Sequence, residues 1–302
     1  MLQETAIGRA HNFILIYPET AMHEIRIPET TLNDGRTMPA LGLGTYKLNG
    51  SAGVEALVRG IDAGYRLLDS AFNYENEGAL GQAVRRAGVD REELFLVSKL
   101  PGRHQRREEA LRTVEESLYR AGLDYWDLYL IHWPNPKQGL FVEAWRALLE
   151  ARERGLIRSA GVCNFLPVHL DALVRETGTP PAVNQVELHP YFSQKEQVAF
   201  DRRHGIVTQA WSPLARTNNV LKEKALREIA EVTGKTVSQV VLRWHVQSGT
   251  VPLPKSASPE RQAENLDVFN FELCDADMAA IDALTRPDGR LKGQDPAVYE
   301  EF

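Results

Sequence analysis

In the stretch Arg66-Leu-Leu-Asp-Ser-Ala-Phe-Asn-Tyr74, a short apolar run is followed by polar residues that are typical of a loop. The apolar run predicts a buried strand, so Asp69 stands where that strand leaves the core. Lys99 and His132 end the next two apolar runs in the same way. Because the carboxyl ends of parallel strands meet on one rim of a barrel, we predict that these side chains and Tyr74 share one site there.

Eight short apolar runs recur along the chain, with helical patterns between them. Strands that alternate with helices form a parallel sheet, and eight such units predict an α/β fold closed into a (β/α)8 TIM barrel. An Asp34-Gly35 turn signal after the alternating run 25–27 predicts a β-hairpin before the barrel. The eight predicted strands cover residues 40–44, 66–69, 94–100, 127–133, 159–165, 182–188, 206–212 and 250–255.

Apolar residues at three-four spacing predict the helices of the barrel and two extra C-terminal helices. The last helix has Asp275 as a candidate N-cap, and an irregular tail follows over 286–302. Four glycines fall near predicted helix ends, where a left-handed residue is favoured. These glycines are Gly64, Gly88, Gly122 and Gly155. The predicted helices cover 54–61, 111–121, 145–149, 225–244 with an interruption at Gly234, 258–268 and 275–284.

Length and composition fit one barrel domain, which we place at residues 23–302. The sequence pattern of residues 1–22 differs from that of the rest of the chain. We expect these residues to form an N-terminal extension that contributes little to the fold, with Met22 as an alternative start. Their apolar run is too short for a signal-peptide core or a membrane span. Two cysteines are too few for a disulfide framework or a metal cluster, and a net charge of −6 does not suggest a nucleic-acid partner. We therefore expect a cytoplasmic monomer without metal that does not bind membranes.

The four polar residues at the strand ends have the chemistry that carbonyl reduction needs. Tyr74 is a proton donor if its pKa, about 10 when unperturbed, is brought nearer to neutral. The Lys99 ammonium favours the phenolate, and Asp69 would pair with Lys99 and orient it. His132 would donate to the carbonyl oxygen and stabilise the negative charge that develops there.

Each of these residues also has an ordinary structural explanation. A tyrosine in a barrel loop usually packs, a lysine at a strand end is usually solvated, and an aspartate after a strand often caps a helix. A single histidine is more often structural than catalytic. Their joint occurrence on three successive strand ends favours a catalytic site.

The order of motifs resembles that of the aldo-keto reductase superfamily, from about Ile25 to the C-terminus, and its bacterial branch in particular. The resemblance implies Asp69, Tyr74, Lys99 and His132 as the catalytic tetrad. The motifs that carry it are Leu41-Gly-Leu-Gly-Thr-Tyr46, Gly64-Tyr-Arg-Leu-Leu-Asp-Ser-Ala71, Tyr74-Glu-Asn-Glu77, Leu123-Asp-Tyr-Trp-Asp-Leu-Tyr-Leu-Ile-His-Trp-Pro134, Gly161-Val-Cys-Asn-Phe165, Asn184-Gln-Val-Glu-Leu-His-Pro-Tyr191, Trp211-Ser-Pro-Leu214 and Pro254-Lys-Ser256 with Arg261 and Glu264-Asn265.

The resemblance further implies NADPH as the cofactor. The chain lacks a G-x-G-x-x-G loop, so the phosphate end is expected near the last two barrel strands, where Lys255 and Arg261 suit a 2′-phosphate. Trp211 matches the position that stacks on the nicotinamide, Asn164 and Gln185 match those that hold its carboxamide, and Glu264 and Asn265 match those at the adenine. The implied cofactor-binding residues are Gly44, Thr45, Asp69, Cys163, Asn164, Gln185, Trp211, Ser212, Leu214, Lys255, Ser256, Arg261, Glu264 and Asn265.

Cys163 departs from the family pattern, since serine is usual at this position. A thiol is a weak hydrogen-bond donor, so one cofactor contact is expected to weaken by on the order of 1 kcal/mol.

Short loops after the fourth and seventh barrel strands predict an open substrate pocket walled by Tyr46, Tyr74, His132, Trp133 and the tail. The resemblance to reductases of the 2,5-diketo-gluconate and methylglyoxal type implies small aldehydes, ketoses or keto acids as substrates. Arg286 and Arg290 are candidate partners for a substrate carboxylate. The alternative within the family is a low-activity, NADPH-binding regulatory subunit. A barrel isomerase or metal-dependent hydrolase would need ligand clusters that the strand ends lack.

Overall fold

The computed structural model describes residues 27–217 and 219–302 of the chain. The strands are β1 (Glu29–Thr31), β2 (Thr37–Pro39), β3 (Leu43–Gly44), β4 (Leu67–Asp69), β5 (Phe95–Leu100), β6 (Trp126–Ile131), β7 (Ile157–Cys163), β8 (Val183–Glu187), β9 (Val207–Trp211) and β10 (Val251–Pro252). The helices are α1 (Gly50–Asp62), α2 (Glu77–Arg86), α3 (Arg107–Ala121), α4 (Phe141–Glu153), α5 (Pro167–Thr177), α6 (Lys195–Arg203), α7 (Lys224–Thr233), α8 (Val237–Gln247), α9 (Pro259–Leu266) and α10 (Asp275–Asp282).

Strands β3 to β10 form one parallel sheet in which each strand pairs with the next along the chain. The ends of this sheet meet, because the Gly42 N–H donates to the Pro252 carbonyl at 3.1 Å and the Gly44 N–H to the Pro254 carbonyl at 3.0 Å. Gly44 permits this approach, since a Cβ there would lie 3.0 Å from the Leu253 carbonyl oxygen. The predicted eight-stranded barrel is confirmed.

The predicted hairpin is also found, with β1 and β2 paired antiparallel. Its tight turn places Gly35 at φ +85°, a conformation that glycine adopts without steric cost. Leu32 and Met38 are buried against the first residues of several barrel strands, so the hairpin covers the amino-terminal end of the barrel. Two residues of the predicted first strand, Ile25 and Arg26, lie outside the described residues, as does the proposed extension 1–22.

The sequence pattern missed three of the helices, α2, α5 and α6, and two details at helix ends were wrong. Helix α6 is mostly polar and buries Gln197 and Asp201, so it lacks the apolar spacing that reveals a helix. Gly88 does not have a positive φ, because α2 already ends at Arg86. Asp275 is the first residue of α10 and Cys274 holds the N-cap position, where its N–H donates to the Asp277 carboxylate.

Within the described ranges, no helix has the length and apolar character needed to cross a membrane. The monomeric state, the cytoplasmic location and the domain boundary at residue 23 stay predictions.

Candidate active site

A cavity of about 590 Å³ opens at the carboxyl-terminal rim of the barrel. Barrel strand ends form its floor, and the C-terminal tail forms part of its wall. Its lining includes most of the residues that the sequence predicted: Gly44, Thr45, Tyr46, Asp69, Tyr74, His132, Trp133, Cys163, Asn164, Gln185, Trp211, Ser212, Leu214 and Lys255.

Lys99 lies beneath the cavity and is fully buried. Its Nζ donates to both carboxylate oxygens of Asp69, at 2.7 and 2.8 Å, and to the Ser70 carbonyl at 2.6 Å. Burial is the largest influence on Lys99 and lowers its pKa, but the Asp69 carboxylate, Tyr74 and Cys163 together outweigh it, and the pKa rises above its ordinary value. The ammonium is therefore charged, and all three of its donors have acceptors.

Tyr74 follows β4 in a short 3-10 turn, and Lys99 Nζ lies 5.1 Å from the centre of its ring. Burial raises the pKa of Tyr74 to about 12, and the neighbouring Lys99 ammonium only reduces that rise. The expectation that Lys99 brings this pKa towards neutral is therefore wrong for the protein alone, because the loss of hydration is the larger effect. The phenol is fully protonated at neutral pH, as a proton donor must be.

His132 follows β6, and its ring lies 6.0 Å from the ring of Tyr74. Its Nδ1 is buried and lies 2.7 Å from Oε1 of Glu301, although the two atoms do not meet the geometry of a hydrogen bond. Glu301 is the penultimate residue of the chain, and no sequence signal marked it as part of the site.

The predicted nicotinamide residues also lie together in the cavity. The Trp211 indole N–H donates to Asn164 Oδ1 at 2.8 Å, which fixes both side chains. Gln185 Nε2 donates to Asp69 Oδ1 at 2.8 Å and so joins this group to the Lys99 pair. Cys163 is fully buried at the end of β7, pairs in register with Gln185, and has a pKa that burial raises well above its ordinary value.

The residues predicted for the phosphate and adenine surround the start of α9, and only Lys255 also lines the cavity. The pKa of Lys255 is lowered by burial and then by the charges of Arg261 and Lys47. The Ser256 hydroxyl donates a hydrogen bond to the Ser258 carbonyl and accepts one from the Ser258 N–H. Ser258 is the N-cap of α9. The remaining two predicted residues belong to α9, where Asn265 is buried and Glu264 accepts from the Thr236 hydroxyl at 2.7 Å.

Sequence reasoning missed several residues of the cavity wall. Those residues are Lys47, Asn73, Pro213, Arg216, Leu253, Pro254, Lys292, Gln294, Tyr299 and Glu301. Arg286 and Arg290, proposed as carboxylate partners, do not line it. Arg286 pairs with Glu223 at 2.7 Å and Arg290 lies over the Phe192 ring, so both hold the tail against the barrel.

This arrangement suits the reduction of a carbonyl. A protonated phenol and an imidazole face one cavity, and a buried ammonium lies behind the phenol to stabilise its anion. Among residues 27–217 and 219–302, no group of three or more His, Cys, Asp or Glu side chains is placed to hold a metal ion.

Comparison with known proteins supports this interpretation. Residues 40–286 match the model of the aldo/keto reductase family. The chain is 55% identical to 2,5-diketo-D-gluconic acid reductase B of Corynebacterium sp. (strain SHS752001), over 91% of this chain and 99% of the relative. It is 44% identical to methylglyoxal reductase DkgA of Escherichia coli (strain K12), over 88% of this chain and 95% of the relative.

Among solved structures, a Gox0644 mutant in complex with NADPH is 41% identical and has a TM-score of 0.87, covering 91% of this chain and 99% of that one. The family model matches most of the chain, and the relatives align over nearly their whole length. The solved structures agree with the barrel fold. The chain belongs to the aldo/keto reductase family.

Proposed function

We propose that this protein reduces small aldehydes and ketones to alcohols with NADPH, using Tyr74 as the proton donor. The observation that carries the proposal is the buried Asp69–Lys99 pair directly behind the Tyr74 ring, at the base of an open cavity. An ammonium in that place stabilises a phenolate, and a phenolate forms only when Tyr74 gives up its proton.

NADPH is the cofactor, and the residues present fit it. Burial lowers the pKa of Lys255, and Arg261 and Lys47 lie close enough for their charges to lower it further. Such a cluster of cations favours an anionic group, here a phosphate of the nucleotide. Related structures holding NADPH, and NADP in a Bombyx mori aldo-keto reductase 33% identical to this chain, support the assignment.

Two groups of residues would hold the cofactor, one around the start of α9 and one in the cavity. Lys255, Ser256 and Arg261 would bind phosphate, and Glu264 and Asn265 the adenine. Trp211, already fixed by Asn164, would hold the nicotinamide with Gln185 and Cys163. When bound there, the nicotinamide supplies the hydride that the carbonyl carbon receives.

The protein's own residues deliver the proton. The Tyr74 O–H bond breaks as the O–H bond of the alcohol forms, and Lys99 stabilises the phenolate that remains. Asp69 keeps Lys99 charged and fixed, because both carboxylate oxygens accept from its Nζ. The ring of His132 orients the carbonyl oxygen towards the phenol.

Small, polar carbonyl compounds fit the cavity best. The opening has aromatic walls in Tyr46, Trp133 and Tyr299, and basic side chains in Lys47 and Lys292. Aromatic walls accept small aldehydes such as methylglyoxal or an aromatic aldehyde, and basic groups favour keto acids and sugar acids. The two relatives are named for substrates of the same kinds, a diketo sugar acid and methylglyoxal.

The test is the rate of NADPH consumption with a panel of aldehydes, ketoses and keto acids. Tyr74→Phe is expected to lower kcat by about 10²- to 10⁴-fold, because it removes the proton donor but little volume. The Kd for NADPH should stay within about twofold. A variant that keeps near wild-type rates would remove Tyr74 from the mechanism. Low rates of the wild type with every carbonyl, despite tight NADPH binding, would favour the regulatory alternative.

A further inference from the structure

Helix α6 buries two polar side chains, Gln197 and Asp201, and the proposed reaction uses neither of them. Asp201 is fully buried, and a buried carboxylate costs free energy unless donors surround it. Its carboxylate accepts from Gln197 Nε2 at 2.8 Å and from the Thr208 hydroxyl at 3.0 Å. The third donor is Asn184 Nδ2, which lies 3.4 and 3.3 Å from the two carboxylate oxygens.

Asn184 links this carboxylate to the backbone at the barrel rim. It lies on β8 beside Gln185, whose side chain lines the cavity. Because neighbouring side chains of a strand point to opposite faces of the sheet, Asn184 faces the other way, towards α6. Its amide also holds Phe165 there. The Phe165 N–H donates to Asn184 Oδ1 at 3.3 Å, and Asn184 Nδ2 donates to the Phe165 carbonyl at 3.0 Å.

The Asp201 carboxylate favours one orientation of the Asn184 amide. A carboxylate only accepts hydrogen bonds, so the amide nitrogen must lie on its side. One hydrogen of Nδ2 then serves the carboxylate and the other serves the Phe165 carbonyl, while Oδ1 accepts from the Phe165 N–H. An amide turned over would place its oxygen against two other acceptors.

The electrostatics around Asp201 agree with this geometry. Burial raises the pKa of Asp201 to about 6, while the hydrogen bonds from Gln197, Thr208 and Asn184 and the charge of His204 act to lower it. The carboxyl is therefore ionised in most molecules at neutral pH, and both of its oxygens accept. A charged acceptor strengthens the hydrogen bonds that it receives.

The backbone that Asn184 holds belongs to the turn of Asn164 and Phe165. Asn164 has a left-handed φ of +62°, which residues other than glycine rarely adopt. The Phe165 N–H belongs to the peptide group between these two residues, so its hydrogen bond to Asn184 fixes the plane of that peptide. The Asn164 side chain in turn accepts from the Trp211 indole and donates to the His132 carbonyl at 3.0 Å.

We propose that Asp201 is a positioning residue for the cofactor, which acts through Asn184 to hold the Asn164–Phe165 turn in the shape that receives the nicotinamide. Asp201 is not among the residues that line the cavity, so its effect on the cofactor is indirect. This proposal rests on the roles that the proposed function gives to Asn164 and Trp211. Its structural part, the coupling of Asp201 to the turn, is tested in the free protein.

The first test compares Asp201→Leu with Thr208→Val, its matched control. Both variants remove a hydrogen bond at the buried carboxylate, but only Asp201→Leu removes the acceptor of Asn184. We expect Asp201→Leu to raise the Kd for NADPH about fivefold to tenfold, and Thr208→Val to change it by less than about twofold. Asp201→Asn retains an oxygen for Asn184 and should keep the Kd within about twofold of the wild type. A wild-type Kd in Asp201→Leu would overturn the proposal.

Adenosine 2′,5′-bisphosphate separates positioning from general damage. This fragment of NADPH carries the adenine and the 2′-phosphate but no nicotinamide, so Asp201→Leu should bind it as the wild type does. Equal weakening of the fragment and of NADPH would overturn the positioning role. Thermal unfolding checks that each variant is folded. If Asp201→Leu does not fold, Gln197→Leu/Asp201→Leu replaces both buried polar side chains of α6 together and serves in the same comparison.

Hydrogen exchange of the Trp211 indole N–H gives a readout without cofactor. This N–H donates to Asn164, and its signal in ¹⁵N-tryptophan-labelled protein is assigned with Trp211→Phe. We expect it to exchange several-fold faster in Asp201→Leu than in the wild type or Thr208→Val. Unchanged exchange would refute the coupling of Asp201 to the turn. Faster exchange with an unchanged Kd for NADPH would instead refute the nicotinamide roles of Asn164 and Trp211.

Discussion

Two carboxylate–base pairs serve the same cavity, and they are built in different ways. Asp69 and Lys99 come from the adjacent barrel strands β4 and β5, so their separation follows from the sheet itself. Glu301 and His132 come from the C-terminal tail and the end of β6, and only loops and side chains bring them together. The first pair is a property of the barrel, and the second depends on how the tail docks.

The hydrogen bonds of the two pairs show the same contrast. Lys99 donates only to Asp69 and Ser70, at the end of β4. The supports of Glu301 are Gly102, Asn73 and Asn135, all in loops beyond strand ends. Damage to the first pair should therefore cost both stability and activity, whereas damage to the second should mainly affect the reaction.

Breaking the Asp69–Lys99 pair should have the largest effect on stability and activity. Lys99→Met leaves the Asp69 carboxylate buried without a cation, which we expect to reduce the free energy of unfolding by about 3–5 kcal/mol. Reduction should fall by about 10²-fold or more, because nothing stabilises the Tyr74 phenolate. Urea unfolding and NADPH consumption measure the two losses.

The control for Lys99→Met is Lys195→Met, which breaks the exposed pair of Lys195 with Asp282. We expect this variant to lose about 0–1 kcal/mol and no activity. Equal losses of stability in the two variants would mean that the buried pair contributes no more to folding than a surface pair.

Loosening the tail should have an intermediate effect. Asn135→Gly removes both hydrogen bonds to the Glu301 backbone, while glycine accepts the left-handed φ of +46° at this position. We expect a loss of stability of about 1–2 kcal/mol, a several-fold rise in KM for the carbonyl, and an unchanged Kd for NADPH.

Amide hydrogen exchange gives the direct readout of tail docking. The Glu301 amide should exchange faster in Asn135→Gly than in the wild type, and the amides of β5 should not change. Unchanged exchange at Glu301 would show that Asn135 does not hold the tail.

The same contrast explains what the sequence could predict. The eight strands were predicted because short apolar runs alternate with helical patterns, and a parallel barrel then places Asp69, Lys99 and His132 on one rim. The regular spacing of the strands in the sheet fixes where the strand ends lie relative to one another. Residues at the strand ends can therefore be predicted to lie close together from the sequence alone.

Tail residues follow no such regularity. Residues 286–302 contain only one short 3-10 turn, Leu291–Gly293, so neither period two nor period 3.6 indicates which side chain faces the barrel. The contact of Glu301 with His132 depends on Asn135 and Gly102, whose sequence neighbourhood says nothing about a partner so distant in the chain. The pKa of Tyr74 was mispredicted for a related reason, since burial in three dimensions outweighs one known charge.

The smallest expected effect concerns one atom in the strand-built part of the site. Cys163→Ser replaces a weak donor by a hydroxyl on the cavity wall, where the usual family residue is serine. We expect NADPH to bind about 1 kcal/mol more tightly, or roughly fivefold, because the hydroxyl makes a stronger hydrogen bond. The free protein should lose a similar stability, since that hydroxyl is buried without the cofactor. Fluorescence titration measures the Kd, and an unchanged or larger value would mean that position 163 does not contact the cofactor.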